Sequence, residues 1–370
     1  MRYRPNCEEQ ARRATVPQRD VDQWGEGLAR LREAGRDLRL MEVCGTHTVS
    51  LFRSGVRALL PPDVRLISGP GCPVCVTAQG YIDAACYLAG RSGLRICTYG
   101  DMIRVPGRNG SLAEKRAEGA DVMVVYSPVD ALQQALKHPE IEVVFLAVGF
   151  ETTTPGTAAV LKQAEALGVS NFSALCAHKT VIPAMHALLS DPGHCVDGFL
   201  CPGHVSVIIG AGAYAGLVKE FGPPCVIAGF EPRQMVDGIR RLIHYVSRGE
   251  AAVENVYGAA VTEAGNRIAW GFVEDVFEVS DAVWRAMGVI PGSGLALRPK
   301  YADFDAARRY GVEVDEDYEP EGGCCGAVIQ GKLLPPDCPL FGRACTPRSP
   351  VGPCMVSSEG SCAAYHRFGG

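Results

Sequence analysis

Eight short apolar runs occur along the first 230 residues, each followed by a polar or helical stretch. They are rich in Val, Ile and Leu and lack polar alternation, which is typical of parallel strands buried on both faces. The runs are 38–43, 64–68, 94–99, 121–127, 141–150, 172–178, 196–201 and 225–230. This pattern predicts a chain of buried strands rather than a helical bundle.

The stretches between the runs have the pattern of crossover helices. Residues 154–167, TPGTAAVLKQAEAL, begin with Thr-Pro and carry apolar residues at helical spacing. Strands that alternate with helices predict an α/β class with doubly wound parallel sheets. Eight strands suit two successive sheets better than one, so we expect one α/β domain at 38–120 and a second at 121–230.

The pattern is weaker beyond the last apolar run. Residues 231–300 form a connecting segment whose placement the sequence leaves open, and 288–299, GVIPGSGLALRP, have the composition of a linker. Residues 301–370, which we group with 1–37, are expected to form a third, smaller domain.

Six polar motifs follow the predicted strands at their carboxyl ends. In open α/β sheets ligands bind beyond that edge, so the motifs predict a shared cleft between the two sheets. The motifs are CGTHT (44–48), GPGCPVC (69–75), GFETTT (149–154), AHK (177–179), PGH (202–204) and GFEPR (229–233). Turn formation explains their glycines and prolines but not the residues that we assign to the cleft, namely Cys44, His47, Cys72, Cys75, Glu151 and His204.

Composition and charge restrict the class of protein. The chain has 370 residues, of which 47% are hydrophobic and 21% charged, which suits two or three globular domains. The net charge of −5 is spread along the sequence, so we expect no nucleic-acid or membrane binding. No apolar run approaches the ~20 residues of a membrane helix, and the N-terminal segment lacks the apolar part of a secretion signal. We therefore expect a cytoplasmic protein.

The 16 cysteines then indicate metal or redox chemistry, because cytosolic thiols are kept reduced. Cys72 and Cys75 have the spacing of a redox dithiol. Two other interpretations remain open. Cys44, His47 and the pair could together form a tetrahedral zinc site. Alternatively, Cys44 could bind a softer metal while the dithiol supplies electrons.

The C-terminal segment has a different character. Its prolines and glycines provide almost no apolar periodicity, so packing alone does not explain how it is held together. Four thiolates around a [4Fe-4S] cluster would organise such loops and leave two thiols for a redox pair, with a zinc knuckle as the alternative. The spacing of the six cysteines does not identify which four bind the cluster. The cysteines are Cys324, Cys325, Cys338, Cys345, Cys354 and Cys362.

The motifs CGTHT, GPGCPVC, GFETTT and CPGHVS, with CPLFGRAC and CMVSSEGSC in the tail, closely resemble those of the HypD family of [NiFe]-hydrogenase maturation proteins. The resemblance covers the chain from about residue 38. It implies two Rossmann-like α/β domains that face a cleft, and a small [4Fe-4S] cluster domain. It also implies a scaffold on which, with HypC and HypE, an iron carrying two cyanides and one carbon monoxide is assembled.

The resemblance implies roles for the cleft residues. Cys44 would bind the iron together with a cysteine of HypC, and His47 would lie beside it. Cys72 and Cys75 would be a dithiol relay that is recharged from the cluster. Cyanide would arrive as a thiocyanate on HypE, whose release as cyanide is a reductive step. Three further residues have weaker support. Glu151 and Glu231 could accept hydrogen bonds or protons in the cleft, with helix capping as the alternative. His204 could belong to the cleft, with a structural role as the alternative.

The resemblance also divides the tail cysteines into two groups. Cys338, Cys345 and Cys362 match cluster ligands, whereas Cys325 and Cys354 match an accessory redox pair. The family usually has Cys-x-Cys where this chain reads Gly323-Cys324-Cys325. We therefore expect Cys324 to take the position of the first ligand.

Two functions remain as candidates. The first is an assembly scaffold that acts within a complex rather than as a stand-alone enzyme. The second is a stand-alone disulfide reductase driven by an iron-sulfur cluster. Both use the dithiol and the tail, but only the scaffold explains Cys44 and His47.

Overall fold

The computed structural model describes residues 25–33, 35–314 and 316–369. Most of the predicted N-terminal part of the third domain, residues 1–24, therefore lies outside the described residues. The strands are β1 (Leu38–Glu42), β2 (Val64–Ser68), β3 (Leu94–Thr98), β4 (Val122–Val124), β5 (Glu142–Gly149), β6 (Phe172–His178), β7 (Gly198–Pro202), β8 (Cys225–Ala228), β9 (Val253–Asn255), β10 (Phe277–Trp284) and β11 (Gly288–Leu297).

Helices lie between most of the strands and in the tail, and short 3-10 turns occur among them. The helices are α1 (Gly25–Glu33), α2 (Gly45–Arg53), α3 (Pro73–Val76), α4 (Gln79–Ala89), α5 (Leu112–Ala117), α6 (Pro128–Lys137), α7 (Thr154–Ala166), α8 (Val181–Ser190), α9 (Gly203–Ile209), α10 (Ala215–Phe221), α11 (Pro232–Arg248), α12 (Arg267–Val276), α13 (Ala306–Tyr310), α14 (Cys325–Ile329) and α15 (Ser361–Phe368). Within the described ranges, no helix is long and apolar enough to cross a membrane.

Each of the eight apolar runs contains a strand, and these strands form two parallel sheets together with β9. The first sheet has the order β2-β1-β7-β8-β9 and the second the order β4-β3-β5-β6. All the pairs in both sheets are parallel. The predicted α/β class is confirmed, and the sheets are consistent with Rossmann-like domains.

The two sheets are not built from two consecutive segments of the chain. Strand β3 precedes residue 120, yet it pairs with β4 and β5. Strand β7 comes late in the chain, yet it pairs with β1, where Met41 lies opposite Phe199. The apolar pattern reports that each strand is buried but not which strand is its neighbour, because crossovers can join parallel strands that are distant in sequence.

The connecting segment 231–300 packs onto both sheets. Helix α11 buries Met235 and Ile239 against the first sheet, and β9 extends that sheet's edge. Strands β10 and β11 form an antiparallel hairpin, so the linker expected at 288–299 is instead a strand. Its register shifts opposite Asp281, next to Pro291, and an irregularity of this kind tolerates a proline inside a strand.

The tail beyond residue 300 is built from short helices and turns, and it packs into the main core. Ile329, Cys354 and Val356 are buried in the same apolar cluster as helices α3 and α4. Helix α15 packs on α2, where the rings of Phe52 and Tyr365 meet edge to face. The tail therefore lies against the segments that carry the sequence motifs.

Candidate functional site

The first motif lies at the start of α2, directly after β1. Cys44 has an extended backbone and is the residue that precedes the helix. Its side chain is buried, and burial together with the nearby Glu359 carboxyl raises the pKa of the thiol to about 12. Without a metal, Cys44 is therefore a neutral thiol at physiological pH.

His47 lies one turn further on and has no solvent exposure. Its Nε2 donates to the carbonyl oxygen of Gly229 at 3.0 Å, whereas Nδ1 has no hydrogen-bond partner among the described residues. Burial lowers the pKa of His47 to about 4. The ring centroid lies 4.7 Å from that of Phe230, which also contacts the ring of His204 at 4.0 Å. The first, fifth and sixth motifs thus meet around Phe230.

The second motif forms a disulfide between Cys72 and Cys75, whose Cα atoms are 5.2 Å apart. Cys72 precedes the short helix α3, and its Sγ accepts the backbone N–H of Cys75 at 3.2 Å. Both residues are buried, since only 5% of Cys72 and 2% of Cys75 are exposed. A disulfide and its reduced dithiol differ by two electrons, and this pair is enclosed within the protein.

The two cysteine motifs touch through their glycines. The N–H of Gly45 donates to the carbonyl oxygen of Gly71 at 3.1 Å. A Cβ atom on Gly71 would lie 2.2 Å from the backbone nitrogen of Cys44, so no larger residue fits there. This close approach brings the loop of the single cysteine against the loop of the disulfide.

The tail contributes two polar residues that our sequence reasoning missed. The carboxylate of Glu359 accepts a hydrogen bond from Thr46 Oγ1 at 2.7 Å. Ser357 Oγ lies 3.3 Å from Cys72 Sγ and has no solvent exposure. Both residues belong to SSEG, 357–360, within the tail motif CMVSSEGSC, which was the available signal.

A third missed group lies behind the first motif. The carboxyl of Glu42, fully buried at the end of β1, accepts from Ser68 Oγ at 2.8 Å. Burial raises the pKa of Glu42, and the Arg57 guanidinium opposes that shift. The position of this carboxyl two residues before Cys44 was the available signal.

Glu151 lies in a different environment. It follows β5, and its Oε1 accepts the N–H of Val181 at 2.9 Å, while Oε2 has no partner among the described residues. Burial raises the pKa of Glu151 to about 7. The side chain lines a cavity of about 700 Å³ together with Thr180 and Arg267. The hydrogen bond from Val181 therefore links the Glu151 carboxyl to α8 and not to the cysteine motifs.

His204 and Glu231 are both exposed. Burial of part of the ring lowers the pKa of His204. Glu231 immediately precedes α11, and its backbone N–H donates to Gln234 Oε1 at 3.3 Å. This is the helix-capping geometry that the sequence left open as the alternative for Glu231.

The tail cysteines form two pairs of neighbours. Cys324 lies within hydrogen-bond reach of Cys338. Cys354 hydrogen-bonds with Cys362, which lowers the pKa of Cys354 and raises that of Cys362. Cys325 is a free thiol beside Gly352, and a Cβ on that glycine would lie 2.6 Å from Cys325 Sγ. An all-thiol donor set of this kind matches the ligands that iron-sulfur clusters use.

Across residues 25–33, 35–314 and 316–369, no group of three or more His, Cys, Asp or Glu side chains is arranged to hold a single metal ion. The disulfide also occupies both thiols that the tetrahedral zinc interpretation required in addition to Cys44 and His47. In this arrangement the dithiol interpretation of Cys72 and Cys75 fits better than a closed zinc site.

Comparison with known proteins identifies the family. The model of the family described as "HypD: Hydrogenase formation hypA family" matches residues 20–369. The chain belongs to the HypD family. It is 47% identical over 341 residues to the hydrogenase maturation factor HypD of Azotobacter vinelandii, covering 90% of each chain. Over 336 residues it is 46% identical to HypD of Escherichia coli K12, again covering 90% of each.

A further relative, HypD of Rhodobacter capsulatus, is 45% identical over 342 residues and covers 91% of each chain. The resemblance that the motifs indicated is therefore confirmed. As a HypD family member, the protein is a hydrogenase maturation factor.

Proposed function

We propose that this protein is the scaffold on which the Fe(CN)2CO centre of [NiFe]-hydrogenase is assembled, in a complex with HypC and HypE in the cytoplasm. The observation that carries the proposal is the contact between the Cys44 loop and the disulfide loop through Gly45 and Gly71. Assembly of such a centre needs a thiolate that holds iron and an adjacent source of electrons.

Cys44 is the residue proposed to hold the incoming iron, with a cysteine of HypC. Thiolates favour soft metal centres, and an iron with cyanide and carbon monoxide ligands is such a centre. Because the Cys44 thiol is neutral without a metal, iron binding must release its proton. The neutral imidazole of His47 lies in the next turn and adds no positive charge that would compete with the metal.

The dithiol of Cys72 and Cys75 is proposed to supply two electrons. Cleavage of a thiocyanate into a thiolate and a cyanide ion consumes two electrons, and oxidation of two thiols to one disulfide releases two electrons and two protons. The burial of both sulfurs supports this role, because it limits reaction with other thiols.

The tail is proposed to hold a [4Fe-4S] cluster through Cys324, Cys338, Cys345 and Cys362, with Cys325 and Cys354 as an accessory redox pair. The support comes from the proximity of Cys324 to Cys338 and from the thiol-only donor set. Such a cluster passes single electrons. The contact of Ser357 with Cys72 shows that the tail reaches the dithiol.

A stand-alone disulfide reductase is the alternative function, and the buried disulfide against a cysteine-rich tail favours it as a second candidate. The two functions differ in whether Cys44 is required. A reductase keeps dithiol turnover without Cys44, whereas the scaffold loses hydrogenase maturation.

The decisive experiment is infrared spectroscopy of the protein purified with HypC in the absence of oxygen, with iron and sulfide counted on the same sample. We expect cyanide and carbon monoxide stretching bands that disappear in Cys44→Ala while the cluster iron and sulfide are retained. Cys195→Ala, which removes a partly buried free thiol outside the motifs, is the matched control and should keep the bands.

Bands that persist in Cys44→Ala would exclude Cys44 as the iron ligand. An intact cluster without any such bands in the unmodified protein would favour the reductase. Protein without iron or labile sulfide would exclude the cluster from both functions.

A further inference from the structure

A chain of hydrogen bonds leads from the disulfide to the surface. Ser357 Oγ lies 3.3 Å from Cys72 Sγ and 3.0 Å from Asp101 Oδ2. Asp101 belongs to the 3-10 turn Gly100–Arg104 that follows β3, and it is partly exposed. Ser357 is fully buried between Asp101 and the sulfur. Three segments distant in sequence thus meet at one hydroxyl group.

The chemistry of these groups sets the direction of the chain. A carboxylate only accepts hydrogen bonds, so the single hydroxyl proton of Ser357 points to Asp101. The backbone N–H of Glu359 donates to the same hydroxyl at 3.2 Å. The remaining lone pair of Ser357 is available to Cys72. When the disulfide is reduced, the Cys72 thiol can donate its proton to Ser357.

We propose that Ser357 and Asp101 form a proton relay that takes the proton from Cys72 when the dithiol is oxidised and returns it on reduction. The inference rests on the proposed redox role of the Cys72–Cys75 pair. Ser357 touches the reacting sulfur, whereas Asp101 acts through Ser357 and is a positioning residue.

The relay is needed because the sulfur is enclosed. Only 5% of Cys72 is exposed, so water has little access to its proton, whereas Asp101 lies at the solvent boundary. The Cys72 proton passes to Ser357 as the hydroxyl proton of Ser357 passes to the Asp101 carboxylate. Asp101 then releases a proton to water. A proton path of this kind is general base catalysis through one intervening hydroxyl.

The complete reaction balances with a small disulfide as the electron acceptor. The Cys72 thiolate attacks one sulfur of the acceptor, which forms a mixed disulfide and releases one small thiolate. Cys75 then attacks Cys72 Sγ, the protein disulfide forms, and the second small thiolate leaves with the Cys75 proton. Two electrons pass to the acceptor, and the Cys72 proton leaves through the relay.

The test measures the rate of disulfide formation in the full-length protein. Reduced protein is mixed with 2-hydroxyethyl disulfide, an acceptor small enough to reach the exposed 5% of Cys72, and the reaction is quenched with an alkylating reagent. The peptide that carries Cys72 and Cys75 is then quantified by mass spectrometry. We expect Ser357→Ala to slow formation of the disulfide by about tenfold or more, because the sulfur loses its proton path to the Asp101 carboxylate. The solvent deuterium isotope effect of the unmodified protein should change in the same variant.

Asp101→Asn separates proton transfer from packing. A single oxygen, Asp101 Oδ2, accepts from Ser357 Oγ, from Ser358 N at 2.7 Å and from Ser358 Oγ at 2.7 Å. An asparagine carbonyl oxygen in that position keeps all three bonds but takes up no proton. We expect this variant to fold normally and to show the same slow oxidation as Ser357→Ala.

Ser358→Ala is the matched control, because it removes one hydrogen bond to Asp101 and leaves the chain from Cys72 to Asp101 intact. Its rate of disulfide formation should stay within about twofold of that of the unmodified protein, as for most substitutions at exposed positions.

Three outcomes would contradict these proposals. Rates and isotope effects equal to those of the unmodified protein in both Ser357→Ala and Asp101→Asn would overturn the relay. Equal slowing in Ser358→Ala would also overturn it, since the effect would then be structural. A dithiol that never forms the disulfide in the unmodified protein would overturn the proposed redox function itself.

Discussion

At the scale of single residues, burial keeps Cys44 and His47 uncharged. It raises the pKa of Cys44 to about 12 and lowers that of His47 to about 4, so both are neutral at pH 7. The same physical cause raises the pKa of Glu151 to about 7. Loss of water penalises the charged form in every case, whichever its sign. Under the proposed function, an incoming iron would meet neutral donors and would have to displace the thiol proton.

Glu151 provides a test of this effect in the pH dependence of stability. Its folded pKa of about 7 lies above the ordinary value of 4.5, so its favourable contribution is complete below pH 4.5 and is lost as pH rises through 7. Glu151→Gln keeps an oxygen that accepts from Val181 and carries no charge. We expect the variant to gain stability relative to the unmodified protein as pH rises, by about 3 kcal/mol above pH 7.

Chemical denaturation at several pH values between 4.5 and 8 measures this difference. A difference that does not vary with pH would show that the Glu151 carboxyl ionises in the folded protein as readily as in the unfolded chain.

At the scale of elements, the hairpin of β10 and β11 packs against the disulfide loop. Trp284 at the end of β10 is fully buried, and its indole N–H donates to Ser293 Oγ at 2.8 Å. Its ring stacks on Phe150, which directly precedes Glu151. The next residue, Arg285, donates its backbone N–H to the carbonyl oxygen of Val76 at the end of α3. One turn of the hairpin thus contacts the residue that follows the second motif and a residue of the third motif.

Trp284→Ala should destabilise the protein by about 3–5 kcal/mol, because it leaves a large cavity and removes the bond to Ser293. Val289→Thr in the same hairpin is the control, since Val289 is 63% exposed and its replacement should change stability by less than about 0.5 kcal/mol. Thermal or denaturant unfolding of both variants measures the effect. If both variants lost a similarly small amount of stability, the hairpin would contribute little to the stability of the core.

The hairpin also shows the limit of local patterns. Pro291 and three glycines make residues 288–299 resemble a linker, but the irregular register allows a strand there. By contrast, all eight apolar runs that predicted strands do contain strands, because burial on both faces leaves a strong mark on the sequence.

At the scale of the whole molecule, the two sheets are interleaved along the chain. The first is built from the beginning and from the region after residue 198, while the second is built from the region between β3 and β6. A fragment that ends near residue 120 therefore separates β1 from β7, and β3 from both β4 and β5.

We expect the fragment 38–120 to lack a cooperative unfolding transition, since β3 retains neither partner and the apolar faces stay exposed. Circular dichroism during heating, together with limited proteolysis, compares the fragment with the full chain. A fragment that unfolds cooperatively would show that the first three strands and their helices form an independent domain.

The sequence by itself determined the α/β class, the positions of eight strands, the motifs at the strand ends and the family. These features are local, because periodicity and turn chemistry act over a few residues. Only the tertiary structure decided the order of the strands in the two sheets. It also decided that Ser357 meets Cys72 and that Glu359 meets Thr46. Such contacts join residues about 300 positions apart, and their formation depends on how crossovers and the tail pack, which no local pattern records.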